Sequence, residues 1–263
     1  MYRTGVNNFR KILTVAINTF KEIIKSKILL NTLFLGIGLF IVTFVAYSFT
    51  YGEPSRIALD FGLGVLTISS VGIAIFIGVG LLSKEIESRT VYMIISRPVP
   101  RFTFLIGKIS GLVLVLIVNI LILSLLTLSL YFFIGGTGNA LIPWAILLVV
   151  IESVLVLLLV AFLSLISSQT VAVLVSLVIY VAGFSIQSAQ NTNFAKNIPE
   201  LSGALDLYHF VLPGFYKLNI KNYILYEQVL SNTYLMNAVS YGMLYSLFLV
   251  ALSVFVFENK NLD

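Results

Sequence analysis

The chain has 263 residues, of which 59% are hydrophobic and only 10% charged, and its mean hydropathy is +1.05. A water-soluble domain carries about 25% charged side chains, so a soluble globular fold is excluded and much of the apolar surface must face lipid. Cysteine is absent, which excludes a disulfide framework, a thiolate nucleophile and a zinc–thiolate site, and leaves the redox compartment unread.

Residues 1–27 form the first unit. Phe9, Ile12, Leu13, Ala16, Ile17, Phe20, Ile23 and Ile24 recur at three- and four-residue spacing, while Arg10, Lys11, Thr14, Asn18, Lys21, Glu22 and Lys25 fill the other face. The pattern predicts an amphipathic helix with a basic side, suited to lying in the cytoplasmic headgroup layer. It lacks the continuous apolar core and small-residue cleavage site of a signal peptide.

Residues 28–263 read as a six-span transmembrane domain, because apolar runs of about 20 residues are long enough to cross a bilayer. The spans fall at about 28–51, 60–82, 104–134, 143–166, 171–190 and 236–257. The expected fold class is therefore an all-α integral membrane protein. Gly135, Gly136, Gly138 and Pro143 mark the turn between spans three and four, and Ser167 to Thr170 a tight polar turn between four and five.

One compact block of mixed charge interrupts these runs, from Ser83 to Lys108. Glu85 and Arg89 stand at i,i+4 in the favourable order, and Ile86, Thr90, Met93 and Ile94 fall on a neighbouring face. Ser83 to Ser96 is thus predicted as a short helix with a charged and an apolar side. Arg97-Pro98-Val99-Pro100-Arg101 ends it, since proline supplies no donor and disfavours helix in the residue before it. An interfacial helix with snorkelling charges is the bland alternative.

Within the spans, Glu152 is the deep ionisable group, nearly halfway along the fourth. A charged, unpaired carboxyl there costs about 2.5–3.5 kcal/mol on insertion scales, so it must be protonated, hydrogen-bonded or facing water. It is a candidate for the translocation path or for an interhelical polar contact, as are Asn119 in span three and Gln187 near the end of span five. The glycine pairs Gly36/Gly38, Gly62/Gly64 and Gly78/Gly80 lack the third glycine of a dinucleotide turn and are read as helix-packing positions. The outer segment 191–235, broken by Pro199, Gly203, Pro213 and Gly214 and rich in tyrosine, is predicted as short helices at the interface. It would serve as a lid, a gate or a docking surface for an external or periplasmic partner. Asp206 and His209 are too few for a metal site, so no metal is expected.

Twelve of the sixteen lysines and arginines lie before span one, in the loop after span two or in the tail; Arg56, Lys196, Lys217 and Lys221 lie on the other side. The bias predicts cytoplasmic termini and a cytoplasmic loop, and explains the net charge of +5 without nucleic acid.

The pattern Lys84-Glu85-x-Glu87-x-x-Thr90, then Ser96-Arg97-Pro98-Val99-x-Arg101 and Gly107-Lys108, resembles the cytoplasmic loop of type-2 ABC exporter permeases. The amphipathic first helix, six spans and long outer segment resemble that family over nearly the whole chain. The resemblance implies a membrane subunit that dimerises, with itself or with a sister permease, and docks two ATP-binding subunits. The loop would be the coupling helix: Glu85, Glu87, Arg89, Thr90 and Arg97 would belong to the ATPase contact, and Pro98 and Arg101 would fix the turn into span three. ATP and magnesium would belong to the partner, and this chain would carry no cofactor and no catalytic residue. Gly107-Lys108 is no P-loop, because Phe102 and Ile109 stand where glycine and Ser/Thr are required. An ion-coupled secondary transporter would need more intramembrane charge, and a lipid-modifying enzyme paired acids or a histidine cluster; both remain as alternatives. The expected site is a bacterial or archaeal plasma membrane, and the sparse polar lining favours an amphipathic or lipid-like cargo.

Overall fold

A computed structural model describes residues 2–25, 34, 36–38, 40–45, 53–87, 100–192, 203, 205–208 and 211–259, with backbone alone for 2–8, 81–87 and 191. The regular elements among them are all helical. They are α1 (Tyr2–Lys25), α2 (Pro54–Glu87), α3 (Arg101–Phe133), α4 (Leu141–Ile166), α5 (Gln169–Asn191), α6 (Lys221–Leu225) and α7 (Asn232–Asn259). A single 3-10 turn, Phe215–Leu218, precedes α6. Five helices are long and apolar enough to cross a membrane: α2 over Pro54–Gly80, then α3, α4, α5 over Gln169–Gln190, and α7. They correspond to the second to sixth predicted spans. The first predicted span, 28–51, lies mostly outside the described residues; its described part, within Gly36–Val45, is helical and apolar.

The helix ends follow local chemistry. α2 starts at Pro54, where the missing N–H is no loss. Pro100 is extended (φ −58°, ψ 143°), and α3 begins at Arg101, as the proline-rich stretch predicts. Between α3 and α4 the chain turns on Gly135, whose φ of +90° suits a residue without a Cβ. The Tyr131 hydroxyl donates to the Thr137 carbonyl (2.7 Å) and closes that loop. α2 continues without a break through 83–87, so the start of the expected coupling helix prolongs the span; residues 88–99 lie outside the described set.

Helix α4 is the centre. It packs against α2, α3, α5 and α7, and Leu148, Leu155, Leu157, Val160 and Ala161 along it are fully buried. It is also the most apolar of the five described spans. A helix apolar on every side belongs inside the bundle. α5 and α7 leave Leu174, Val178, Leu244, Leu247 and Phe255 exposed, a surface for lipid.

Glycines set the closest approaches. A Cβ at Gly78 of α2 would come within 3.1 Å of the Leu157 carbonyl and 3.2 Å of Val160 on α4, and one at Gly242 of α7 would strike Ile151. Gly62 meets Thr127 on α3, and Gly36 meets Leu126. The packing expectation therefore holds at Gly36, Gly62 and Gly78. It does not hold at Gly38 or Gly80, beside which the described residues leave open space.

α1 packs lengthwise on the first part of α3. Gly107 receives Val15 and the Ile12 carbonyl, and Gly111 receives Thr19 and the Ala16 carbonyl. Four residues along one helix match four along the other, so the two run in the same direction across this seam. Ala16 and Thr19 are buried there, while Phe9, Leu13 and Ile17 form an exposed apolar ridge. Gly107-x-x-x-Gly111 is thus a small-residue groove of the kind that joins membrane helices.

Gly111→Leu is expected to push α1 off α3 and destabilise the protein by about 1–3 kcal/mol, the usual cost of overpacking. Gly72→Ala on α2, where an added Cβ meets nothing within 4 Å, is the control and leaves stability unchanged or slightly raised. Thermal unfolding of both purified variants in detergent measures the difference.

Candidate functional site

Three levels along the bundle hold the polar groups. At the first level lie the ends of α2, α3 and α7. The Arg101 guanidinium donates to the Glu258 carbonyl (3.3 Å), tying the start of α3 to the end of α7. Lys108 and Glu22 face each other across the α1–α3 seam at 4.0 Å, mostly in solvent on the Glu22 side, so this pair adds little stability. Of the sequence-predicted coupling residues, Arg101 therefore sits at the junction of α3 and α7. Glu85 and Glu87 lie on the last turn of α2, and Arg89, Thr90, Arg97 and Pro98 lie outside the described residues.

The second level is Glu152. Its side chain is 1% exposed, and its Oε1 accepts a hydrogen bond from the Tyr180 hydroxyl of α5 at 2.8 Å. In hydrocarbon a lone polar group costs several kcal/mol, and this phenol answers that cost in part. The Tyr180 ring is held by Phe184 one turn further along α5 (5.1 Å, 80°) and by Phe215 of the 3-10 turn (5.0 Å, 59°). Phe215 is fully buried because Gly183 lacks a side chain where the ring enters. This outer-segment ring is thus part of the protein's interior. Asn119 is fully buried in α3.

The third level is a cavity of about 920 Å³ at the end of the bundle away from Arg101 and Glu258. Its wall is formed by α5, the 3-10 turn, α6 and the start of α7, and Gln187 faces it beside Phe184. Gln187 and Tyr180 are seven residues, or about two turns, apart on α5. Phe184 lies between them, so the cavity floor and the Glu152–Tyr180 bond share one aromatic layer.

Tyrosine hydroxyls pin the outer segment to the spans. Tyr208 donates to the Ile179 carbonyl (2.9 Å), Tyr245 to the Val211 carbonyl (2.8 Å), and Tyr241 accepts from the Gly214 N–H (2.8 Å). Burial and the neighbouring Tyr241 raise the Tyr208 and Tyr216 hydroxyls above the usual phenol range, which keeps both neutral. Lys221 pairs with Asp60 of α2 at 2.5 Å, and Arg56 stacks on Tyr226 with its guanidinium carbon 5.0 Å from the ring centre. Asp206 accepts from the Gln190 amide (3.0 Å); His209 lies outside the described residues. Tyrosine enrichment was visible in the sequence, but the carbonyl or carboxylate that each hydroxyl meets was not.

The cations separate as the span count predicts. Arg101 and Lys108 lie at one end, and Arg56, Lys217 and Lys221 at the other.

A bundle with five helices long and apolar enough to cross a bilayer is that of a multi-pass membrane protein. A family model described as ABC-2 family transporter protein matches residues 13–262. The chain belongs to that family, whose members are the non-catalytic membrane components of transporters that work with ATP-binding cassette partners. No curated protein matches the chain in a sequence comparison.

Tyr180→Phe leaves Glu152 without this donor and is expected to lower stability by about 0.6–1.7 kcal/mol, the range of interhelical hydrogen bonds in membranes. Glu152→Leu combined with Tyr180→Phe recovers much of that loss, since both polar partners are then gone. Thermal midpoints of the single and double variants in one detergent give the comparison.

Proposed function

We propose that this chain is the permease half of an ATP-driven exporter. Two copies, or one copy and a sister permease, dock two ATP-binding subunits through the loop between α2 and α3. In this reading residues 83–101 are the coupling segment, with Glu85, Glu87, Arg89, Thr90 and Arg97 toward the ATPase. The termini are cytoplasmic in a bacterial or archaeal plasma membrane, and the cargo is amphipathic or lipid-like. α1 then lines the cytoplasmic start of α3, with its exposed Phe9, Leu13 and Ile17 toward acyl chains.

The observation that carries the reading is the framing of the charged loop by two packed helices. α2 runs seven residues beyond Gly80 to Glu87, about 10 Å at 1.5 Å per residue, so its last turns project from the apolar stretch as one rigid rod. α3 restarts at Arg101, braced by α1 and by the Glu258 carbonyl. Both helices pack on α4. A displacement of the loop thus reaches the bundle core without a flexible link at either described end.

The tagged chain is expected to co-purify with an ATP-binding subunit and to stimulate its ATPase. Glu85→Lys with Glu87→Lys is expected to cut that stimulation by about tenfold or more, because like charges then meet at a rim that had been complementary. Undiminished stimulation, in a variant that elutes as the wild type does, moves the contact off this loop. The chain has no native cysteine, so single introduced cysteines report orientation. Val229→Cys, at a position 95% exposed, is expected to react with an impermeant maleimide from outside intact cells, and Lys260→Cys only after lysis.

A further inference from the structure

The transport reading leaves the cavity beside Gln187 without a ligand, yet its walls have a definite chemistry. Its volume of about 920 Å³ lies within the roughly 300–1,000 Å³ of small-molecule sites. Among the described residues no aspartate or glutamate lines it, whereas two lysines do. Lys221 is neutralised by Asp60 at 2.5 Å. Lys217 is not: its ammonium lies over the Tyr241 ring (4.6 Å from the centre) and near that of Tyr216 (5.7 Å). No carboxylate among the described residues lies within ion-pair distance of it. Ring faces hold a cation in place but use none of its three N–H donors in a conventional hydrogen bond.

Further donors converge around that charge. The Tyr241 hydroxyl accepts from the Gly214 N–H, so its own proton is left to give. The amides of Gln187, Asn222 and Asn237 line the same space, and each carries two N–H bonds. One fixed cation with donors arriving from several helices suits a tetrahedral oxyanion better than a planar carboxylate. The faces of Tyr223 and Tyr234, whose rings stand 6.4 Å apart, offer a flat apolar wall to the carbon body that bears it.

We infer that this cavity binds a phosphate-bearing polyol, with the phosphate on Lys217 and the polyol against the tyrosine and amide walls. Two sources supply that chemistry: the headgroup of a phosphoglycerol lipid, or a soluble sugar or glycerol phosphate. The site is read on the permease alone, so it stands or falls separately from the ATPase contact.

The test uses the full-length chain purified in detergent. Native mass spectrometry measures retention of phosphatidylglycerol against phosphatidylcholine, and calorimetry measures binding of glycerol 1-phosphate. Preferential retention of phosphatidylglycerol that glycerol 1-phosphate does not displace identifies the lipid source. Binding of glycerol 1-phosphate with no preference between the lipids identifies the soluble one. In either case Lys217→Met is expected to weaken binding about tenfold or more, the effect of one charge-assisted hydrogen bond. Lys217→Arg, which keeps the charge, retains most of it, and Gln187→Ala on α5 gives a smaller loss. Lys217 is only partly buried and holds no ion pair among the described residues, so the methionine variant is expected to keep its fold, which elution volume and thermal midpoint verify. Equal retention of the two lipids with no binding of glycerol phosphate, or unchanged binding by Lys217→Met, overturns the inference.

Discussion

Helix α4 offers almost nothing to its surroundings, and the bundle is arranged so that it does not have to. Lipid tails are as apolar as leucine, so burying α4 gains little from the hydrophobic effect itself. What holds it is close contact between helices. Close contact needs small residues on the neighbours, and Gly78 and Gly242 stand where α2 and α7 press on Leu157, Val160 and Ile151. The other elements take their places around this contact: α3 against α2, α1 against α3, and the outer segment across α5 and α7.

A second constraint follows from the absence of water. Several hydroxyls along the spans turn back on their own helices: Thr67 donates to the Leu63 carbonyl, Ser70 to Leu66, Ser110 to Ile106, and Ser253 to Leu249. Such bonds satisfy the side chain without a partner helix. The hydroxyls of Ser69, Thr127 and Ser153 meet no acceptor among the described residues. Glu152 has no such local solution among the described residues, and it draws Tyr180 from α5 instead. That bond orients Tyr180 beneath Phe184 and Phe215, so the buried carboxyl also sets the aromatic floor of the cavity above it.

In the proposed reading these contacts form one mechanical path. Work done on the charged loop enters through the ends of α2 and α3. It reaches α4 through the glycine contacts and passes to α5 through Glu152 and Tyr180. The cavity at the far end stands on the same aromatic layer as that bond. Rigid helices and tight seams suit such a path better than loops would, because packed interfaces switch between arrangements instead of deforming gradually.

Composition and periodicity alone determined the class of this protein, because a bilayer imposes length and apolarity on every span regardless of its neighbours. The five spans from Pro54 onward, the amphipathic α1 and the division of cations between two ends were all legible in that way. The charged loop motif gave the family expectation, and the match over 13–262 bears it out. Packing partners were not legible. Nothing in the sequence distinguished Gly78, pressed on α4, from Gly80, which meets none of the described residues, since both lie in the same apolar run. Nor did it mark Gly107 and Gly111 as the groove that receives α1. Tyr180 stood in span five without a hint that its hydroxyl meets Glu152, 28 positions away. Lys217 and Gln187 are thirty positions apart, and their common cavity exists only because α5, the 3-10 turn and α7 converge. Which residues lie within a few ångströms depends on how helices cross, and that is settled by the fit of surfaces in three dimensions.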